Sequence, residues 1–399
     1  MQSKDVLIAG AGPAGLVCAM SFANAGFSVT VFEAEASIPE NLRGSTFHPS
    51  SLDMLERAFG AATPLIERGL VAPKVQYRRH GKGRIAEFDF ADIADVTEHP
   101  FRLQAEQYKL CQILRDKLAD FPNAELVYNA EVTDVRQDET KVTVTVNGGE
   151  DEATGAYLIG ADGANSVVRR ALNIAFDGFT WPERFLVVST PFDFMTAIPD
   201  LASVTYIADA DEWYFLLKVP SLWRVMFPTD PDEPDEQVTS NQAVQARLKR
   251  VHDKGSAYEI AHTTLYKVHQ RVAETYRLGR ILLTGDAAHI NNPLGGMGMN
   301  GGIHDSFNLS EKLIAVIRDD ADPAILDRYS TERRNIALEY VQKVSIQNKK
   351  DLEAKDATTQ QAFENRLRQA ESDPQKRRDQ LLRLSMLASL GVGVASTPD

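Results

Sequence analysis

Cysteine is nearly absent from this chain of 399 residues, which has only Cys18 and Cys111. Two cysteines far apart give no disulfide framework, no Cys-x-x-Cys redox pair and no thiolate metal cage, a usage that suits a reducing cytoplasm. No His/Cys/Asp cluster has metal-ligand spacing either, so no metal is expected. Basic residues are in deficit: 43 Lys and Arg stand against 56 Asp and Glu, a net charge of −13. A field of that sign repels phosphate backbones and anionic bilayers, which argues against nucleic acid and against stable membrane association. Long apolar runs are lacking too. Lys218 and Arg224 interrupt the stretch from Tyr214 to Phe227, whereas a spanning helix needs ~20 apolar residues. Between Met1 and Val6-Leu7-Ile8-Ala9 there is no room for an export signal, so a cytoplasmic protein is expected. Neither a fixed repeat nor a low-complexity tract occurs.

What is present is ordinary globular composition, 43% hydrophobic and 25% charged, on a chain longer than the ~100–200 residues of one domain. Two packed domains or one elaborated fold are expected. The opening reads as strand (Val6–Ala9), glycine turn (Gly10–Gly15), helix to Ala25 and strand (Val29–Phe32). Pro13 falls where a first helical residue would sit, its missing N–H costing nothing there. Gly10-Ala11-Gly12-Pro13-Ala14-Gly15 therefore has the strand-to-helix context that a dinucleotide fingerprint requires, with the helix N-terminus facing a pyrophosphate. Glu33 ends the second strand twenty-one residues after Gly12, where a carboxylate accepts from a ribose hydroxyl.

Further helices are expected at Pro49–Gly60, Gln104–Leu118, Ala243–Val251, Asn300–Ile317 and Ala324–Lys343. The segments Glu125–Tyr128 and Val142–Val146 read as paired strands, and Tyr157–Ile159 as another before Gly160-Ala-Asp162-Gly163. From Arg184 to Val268 aromatic-rich strands suggest a separate sheet: Phe185–Ser189, Val204–Ile207, Trp213–Val219 and Trp223–Phe227. Gln347–Ala370 reads as charged helix without chemistry. The stretch Arg377–Leu390, with Leu382, Met386 and Leu390 on one face, reads as a helix packing on its own domain or a partner subunit rather than on a membrane surface.

Which dinucleotide is bound follows from the second half of the chain. Thr284-Gly285-Asp286-Ala-Ala-His289-Ile-Asn-Asn-Pro293-Leu-Gly295-Gly-Met-Gly298-Met299-Asn300 follows a short strand, Arg280–Thr284, and enters a long helix. A carboxylate just past a strand can hold a polyol hydroxyl, and the glycine run lets a flat ring lie against backbone. Helix N–H groups at its edge would stabilise charge on a reduced flavin. The cofactor is inferred to be FAD.

Three motifs in order, Gly10–Gly15, Tyr157-Leu-Ile-Gly-Ala-Asp162-Gly163-Ala-Asn-Ser166-Val-Val-Arg169, and Gly285-Asp286 through Asn300, make the chain resemble the class A flavin-dependent aromatic hydroxylases, over residues 5–345. The resemblance implies an α/β fold: a Rossmann-like FAD-binding domain (1–75, 102–180 and 270–320) interleaved with a sheet-based substrate domain (76–101 and 181–269), and C-terminal helices (321–399). It implies NADH or NADPH as co-substrate, and O₂ activated as a flavin C4a-hydroperoxide that attacks a small phenolic or heteroaromatic ring. By this likeness Glu33 binds the adenosine ribose, Arg43 and Gln104 contact the nucleotide portion of FAD, and Asp286 holds the ribitol. Asp162 and Arg169 belong to a motif linked to FAD and nicotinamide. Pro293, Gly295, Gly298, Met299 and Asn300 line the isoalloxazine, and His48 lies on a segment beside it.

Tyr206, Tyr214 and Phe227 are candidates for the substrate wall, and His48 is the candidate base. His289 reads as structural, and His262, His269 and His304 as surface or satisfied core. A second glycine fingerprint is missing, which disfavours two-dinucleotide reductases and Baeyer–Villiger enzymes. None of Trp181, Trp213 or Trp223 fits a halogenase Trp-x-Trp-x-Ile-Pro. A monooxygenase acting on a polyketide or other non-phenolic substrate, and a non-catalytic FAD-binding protein, stay open as alternatives, and so does a homodimer.

Overall fold

The opening strand, Lys4–Ala9, lies in the middle of an eight-stranded sheet. It pairs in parallel with Val29–Phe32 on one side and Asp151–Gly160 on the other; Ala124–Val127 and Ile281–Leu283 extend the parallel core outward. Val6, Leu7 and Ile8 are wholly buried, as an unbroken apolar run in a sheet covered on both faces should be. The computed structural model describes residues 4–40, 42, 44–149 and 151–392.

The helix Pro13–Asn24 packs against this sheet and against the long helix Met297–Arg318, through Leu16, Cys18 and Ile303. A second eight-stranded sheet runs His289–Ile290, His262–Ala273, Phe176–Thr190, Trp223–Pro228, Tyr214–Lys218, Val204–Ala208, Lys74–Arg79 and Gly83–Asp89. Its pairings are antiparallel except where Val204–Ala208 meets Lys74–Arg79. A small sheet of Thr46–Phe47, Arg102–Gln104 and Leu70–Ala72 joins the two. The helices Lys343–Leu352, Ala357–Ser372 and Pro374–Leu384 pack on one face of the second sheet, burying Leu352, Phe363, Leu367 and Leu382 with Tyr77, Phe88 and Tyr206.

Several expectations need correction. Ala124–Val127 does not pair with Val142–Val146; it lies at the far edge of the parallel core beside Val29–Phe32. The hairpin partner of Val142–Val146 is Val132–Gln137, closed by a turn in which Asp138 accepts from the N–H groups of Thr140 and Lys141. Arg102–Gln104 is strand, and the helix begins only at Gln107, after Glu106 in extended conformation. Helix Met297–Arg318 starts three residues early, at a left-handed Gly296. Ala324–Lys343 is an α-helix, Ile325–Ile336, passing through one π-helical stretch, Ala337–Gln342, into the next helix. Leu382 and Met386 are buried in the protein's own core and Leu390 is exposed, so that amphipathic face has an intramolecular partner.

Candidate active site

Three backbone turns meet where the parallel strands end at their C-termini, the edge at which open α/β sheets place ligands. Gly10 has φ +98°, and a Cβ there would lie 2.5 Å from the carbonyl oxygen of Ala161, the residue before Asp162. A Cβ on Gly15 would lie 2.0 Å from the Gly10 carbonyl oxygen. Gly285, at φ +60°, rests against Ala14, and Gly302 of the long helix rests against Gly285. The opening of the chain and the stretch near residue 290 therefore touch directly. Gly12 differs from these neighbours: nothing of the protein lies within 4 Å of a Cβ built there. It caps the Pro13 helix and supplies no side-chain acceptor to the first helix N–H groups.

The surrounding side chains hold this arrangement. Glu33 accepts from the N–H of Ala11 (2.7 Å) and of Glu35 (3.1 Å), which leaves carboxylate lone pairs for hydroxyls. Asp162 accepts from the Ser166 hydroxyl (2.5 Å) and the Val168 N–H (3.1 Å). Arg169 donates to the carbonyls of Ala287 (2.9 Å) and Ala164 (2.8 Å), with its guanidinium 3.7 Å over the Phe176 ring. It thus ties the Asp162 segment to the Asp286 turn. Asp286 itself is exposed, within Gly285–Ala287. His289 is the structural residue its position suggested: Nε2 lies 2.7 Å from Asp305, which also accepts from Arg333 (2.5 Å), all three being buried.

Toward the second sheet the chain turns at Pro293, whose carbonyl accepts from the Gly296 N–H (2.9 Å), with Gly295 at φ +109° and Gly296 at φ +69°. Gly298 and Met299 follow in the uncapped first turn of the long helix. Asn300 is spent within the protein: its amide donates to the carbonyls of Thr46 (2.8 Å) and Gly296 (2.7 Å) and accepts from the His48 N–H (2.9 Å). Gln104 accepts from the Thr46 hydroxyl (2.8 Å), while its buried Nε2 has no partner. Arg43 lies outside the described residues. Its neighbours Leu42 and Ser45 are held by Arg224 of the second sheet, at 2.8 Å each.

Beside Gly295 opens a cavity of about 380 Å³. Tyr77 and Tyr206, stacked at 5.3 Å, form part of its wall with Met297, Leu352 and Phe363, and Arg102 and His48 line it too. Gln347, Asn348, Asp351, Arg366 and residues of the last two helices complete it. The stretch read as helix without chemistry is thus one wall of the cavity. Of the three proposed wall aromatics only Tyr206 is there. Tyr214 and Phe227 pack in a separate cluster with Leu186 and Trp223, because strand alternation sends them to the sheet's other face.

His48 is wholly buried, with Nδ1 2.7 Å from the Leu384 carbonyl and Nε2 2.9 and 3.1 Å from those of Gly295 and Gly296. Burial first, and then the charge of Arg102, holds its protonation well below the usual imidazole range. A neutral imidazole has one N–H, so one of its ring nitrogens faces carbonyl oxygen with no proton between. Arg102 and Tyr77 escaped the sequence reading. The one signal for Arg102 was its place two residues before Gln104, on the same strand face.

The FAD binding domain family matches this chain over residues 3–344. The chain belongs to that family. It is 33% identical to the para-nitrophenol 4-monooxygenase of Pseudomonas sp. (strain WBC-3) over 357 residues, 87% of each chain. It is 35% identical to the 6-hydroxy-3-succinoylpyridine 3-monooxygenase HspB of Pseudomonas putida (strain DSM 28022 / S16) over 364 residues, 88% of this chain and 89% of the relative. The crystal structure of p-nitrophenol 4-monooxygenase PnpA from Pseudomonas putida DLL-E4 superposes with a TM-score of 0.90 at 30% identity, covering 96% of this chain and 98% of that one. This FAD-binding-domain protein is an FAD-dependent aromatic monooxygenase with NAD(P)H as co-substrate; a non-catalytic or polyketide-directed role finds no support in these relatives. The residues fit the cofactor. No protein atom lies within 4 Å of a Cβ built at Gly12, the helices that begin after Gly12 and Gly296 have no side-chain cap, and the Gln104 amide nitrogen is buried without a partner, donors of the kind that suit a dinucleotide's phosphates and ring edge. No helix among the described residues is long and apolar enough to cross a membrane.

Proposed function

We propose that this enzyme hydroxylates a small ring bearing a hydroxyl group, held in the cavity between the second sheet and the C-terminal helices. The observation that carries the reading is the shared wall: Gly295, in the loop assigned to the flavin ring, lines the same cavity as His48 and Tyr206. Two relatives support the substrate class, since their names specify para-nitrophenol and 6-hydroxy-3-succinoylpyridine. In this reading the parallel-sheet region binds FAD and the second sheet, with its helices, binds substrate.

FAD bound here supplies the redox chemistry, accepting hydride from NAD(P)H and activating O₂. Gly10, Gly12, Pro13, Ala14 and Gly15 present backbone to its pyrophosphate, Glu33 to the adenosine ribose and Asp286 to the ribitol. Arg43 and Gln104 contact its nucleotide side, and Pro293, Gly295, Gly298 and Met299 lie along its ring. Asp162 and Asn300 act as positioning residues, since their side chains already bind protein. His48, kept neutral, takes the substrate's hydroxyl proton as the ring becomes electron-rich. Tyr206 and Tyr77 fix the ring plane, and the helices above exclude water.

The test is anaerobic flavin reduction by NADH or NADPH with and without 4-nitrophenol, 4-hydroxybenzoate and 2-hydroxypyridine, followed by product analysis in air. A substrate should speed reduction and replace H₂O₂ by hydroxylated product. NAD(P)H oxidation that yields only H₂O₂ with every ring compound would refute the reading.

A further inference from the structure

The cavity wall carries a charge that the steps above leave unused. Arg102 is 1% exposed and stands on the short strand Arg102–Gln104. Alternation puts its side chain on the face of Gln104, one position nearer the cavity. Its Nη2 donates to the Leu384 carbonyl (2.8 Å), its Nε is buried with no partner, and its guanidinium lies 5.8 Å from the Phe90 ring centre. No carboxylate among the described residues forms an ion pair with it.

A guanidinium cannot shed its charge, and a buried charge without a counter-ion is costly. The Leu384 carbonyl, at the C-terminal end of its helix, offers only partial negative charge, and an anion in the cavity would supply the rest. The rest of the lining has the same sign. Arg366, Lys376 and Arg383 stand against Asp351 and Asp379, and Arg366 is already paired with Asp351. The lining is net positive in a chain whose net charge is −13. Arg102 also shares the Leu384 carbonyl with His48, so an anion bound to it lies beside that imidazole.

We propose that Arg102 determines specificity by binding an anionic group on the aromatic substrate, a phenolate oxygen or a ring-borne carboxylate, so that the enzyme selects charged rings over neutral ones of the same shape. The fork of guanidinium donors suits both oxygen anions. The inference rests on the reading of the cavity as the substrate site.

The holoenzyme, Arg102→Lys and Arg102→Met would be titrated, following flavin absorbance, with 4-nitrophenolate, benzoate and neutral 4-nitroanisole, and FAD content measured in each. The wild type should bind at least one anion roughly 10-fold or more tighter than 4-nitroanisole. Arg102→Met should lose roughly 10- to 100-fold in affinity for that anion and change little toward 4-nitroanisole, with Arg102→Lys between. Which anion suffers, 4-nitrophenolate or benzoate, identifies the group recognised. Equal losses for charged and neutral rings, or no anion preference in the wild type, would overturn the proposal while coupled hydroxylation left the broader reading intact. Loss of FAD from both variants would also overturn it, by assigning the anion to the flavin. If no ring compound perturbs the flavin at all, the cavity reading fails and the proposal with it.

Discussion

At the scale of single residues, His48 faces three carbonyl oxygens with one proton to give. A proton taken from an acidic hydroxyl would let both ring nitrogens donate to these carbonyls, working against the burial and the Arg102 charge that keep the resting imidazole neutral. His48→Gln should lower coupled hydroxylation of 4-nitrophenol by about 10²-fold or more, with NAD(P)H consumption diverted to H₂O₂. The deficit should shrink as pH rises past the point where the phenol ionises by itself. A deficit independent of pH would make His48 a structural residue only. His304 offers a second residue-scale test. It is buried beside the hydroxyls of Ser50 (3.2 Å) and Ser51 (3.1 Å), and burial, then Arg333, pushes its protonation down to about 3. Because the folded value is depressed, His304 is neutral in both states above pH ~6.5. Below that only the unfolded chain takes up the proton, so stability falls with acidification until about pH 3. The contribution reaches about 2 kcal/mol at pH 5. Thermal unfolding of His304→Gln should therefore lose less between pH 7 and pH 5 than the wild type; an identical pH slope would discount this histidine.

Elements made by neighbouring residues were the most legible in the sequence. Strand, glycine turn, helix and Glu33 are one continuous local pattern, and each stands where the spacing predicts. The three glycines nevertheless serve different ends, which the motif alone does not reveal. Gly15→Ala would press a methyl group 2.0 Å from the Gly10 carbonyl, so it should cost several kcal/mol of apoprotein stability through strain between strand and helix. Gly12→Ala meets no protein atom within 4 Å. It should leave the apoprotein's melting temperature nearly unchanged and weaken FAD binding by about 10-fold or more, because the added carbon occupies the approach of the pyrophosphate. Melting curves with and without FAD would separate the two, and a Gly12→Ala protein of normal FAD affinity would remove this turn from the phosphate site. Gln104 was placed at the start of a helix, and the strand Arg102–Gln104 was missed, for a physical reason. Three residues are too few to show a period, and the strand exists because Thr46–Phe47 and Leu70–Ala72, distant in sequence, flank it.

Across the whole molecule, what the sequence concealed is which surfaces meet. Tyr206 and Tyr214 belong to neighbouring strands and look equivalent, yet only the first faces the cavity. The helices after residue 343 carry no motif, and their part in the cavity arises from packing on the second sheet. How they are held there has a consequence for coupling. Arg79 pairs with Glu364 (2.6 Å), Arg377 with Asp92 (2.6 Å) and Arg378 with Asp95 (2.7 Å), the latter two bridging the final helix to the turn after Gly83–Asp89. Both of those pairs are solvated, so each stabilises only weakly. Removing them leaves the apolar contacts of Leu381, Leu382 and Leu384 and the hydrogen bonds of His48 and Arg102 to the Leu384 carbonyl to hold the helix. The combined loss of the two ion pairs would still raise the population with the helix lifted. Neither arginine lies near the glycine turns, so FAD retention in Arg377→Ala/Arg378→Ala should be unchanged. Water would reach the reacting centre more often, and the share of NAD(P)H released as H₂O₂ in the presence of substrate should rise above the wild-type share. Salt should mimic the double variant, since about 1 M ionic strength screens solvated pairs over ~3 Å. If the double variant couples as tightly as the wild type at both low and high salt, these ion pairs do not keep water from the reaction, and the apolar packing and the buried bonds to the Leu384 carbonyl close the cavity without them.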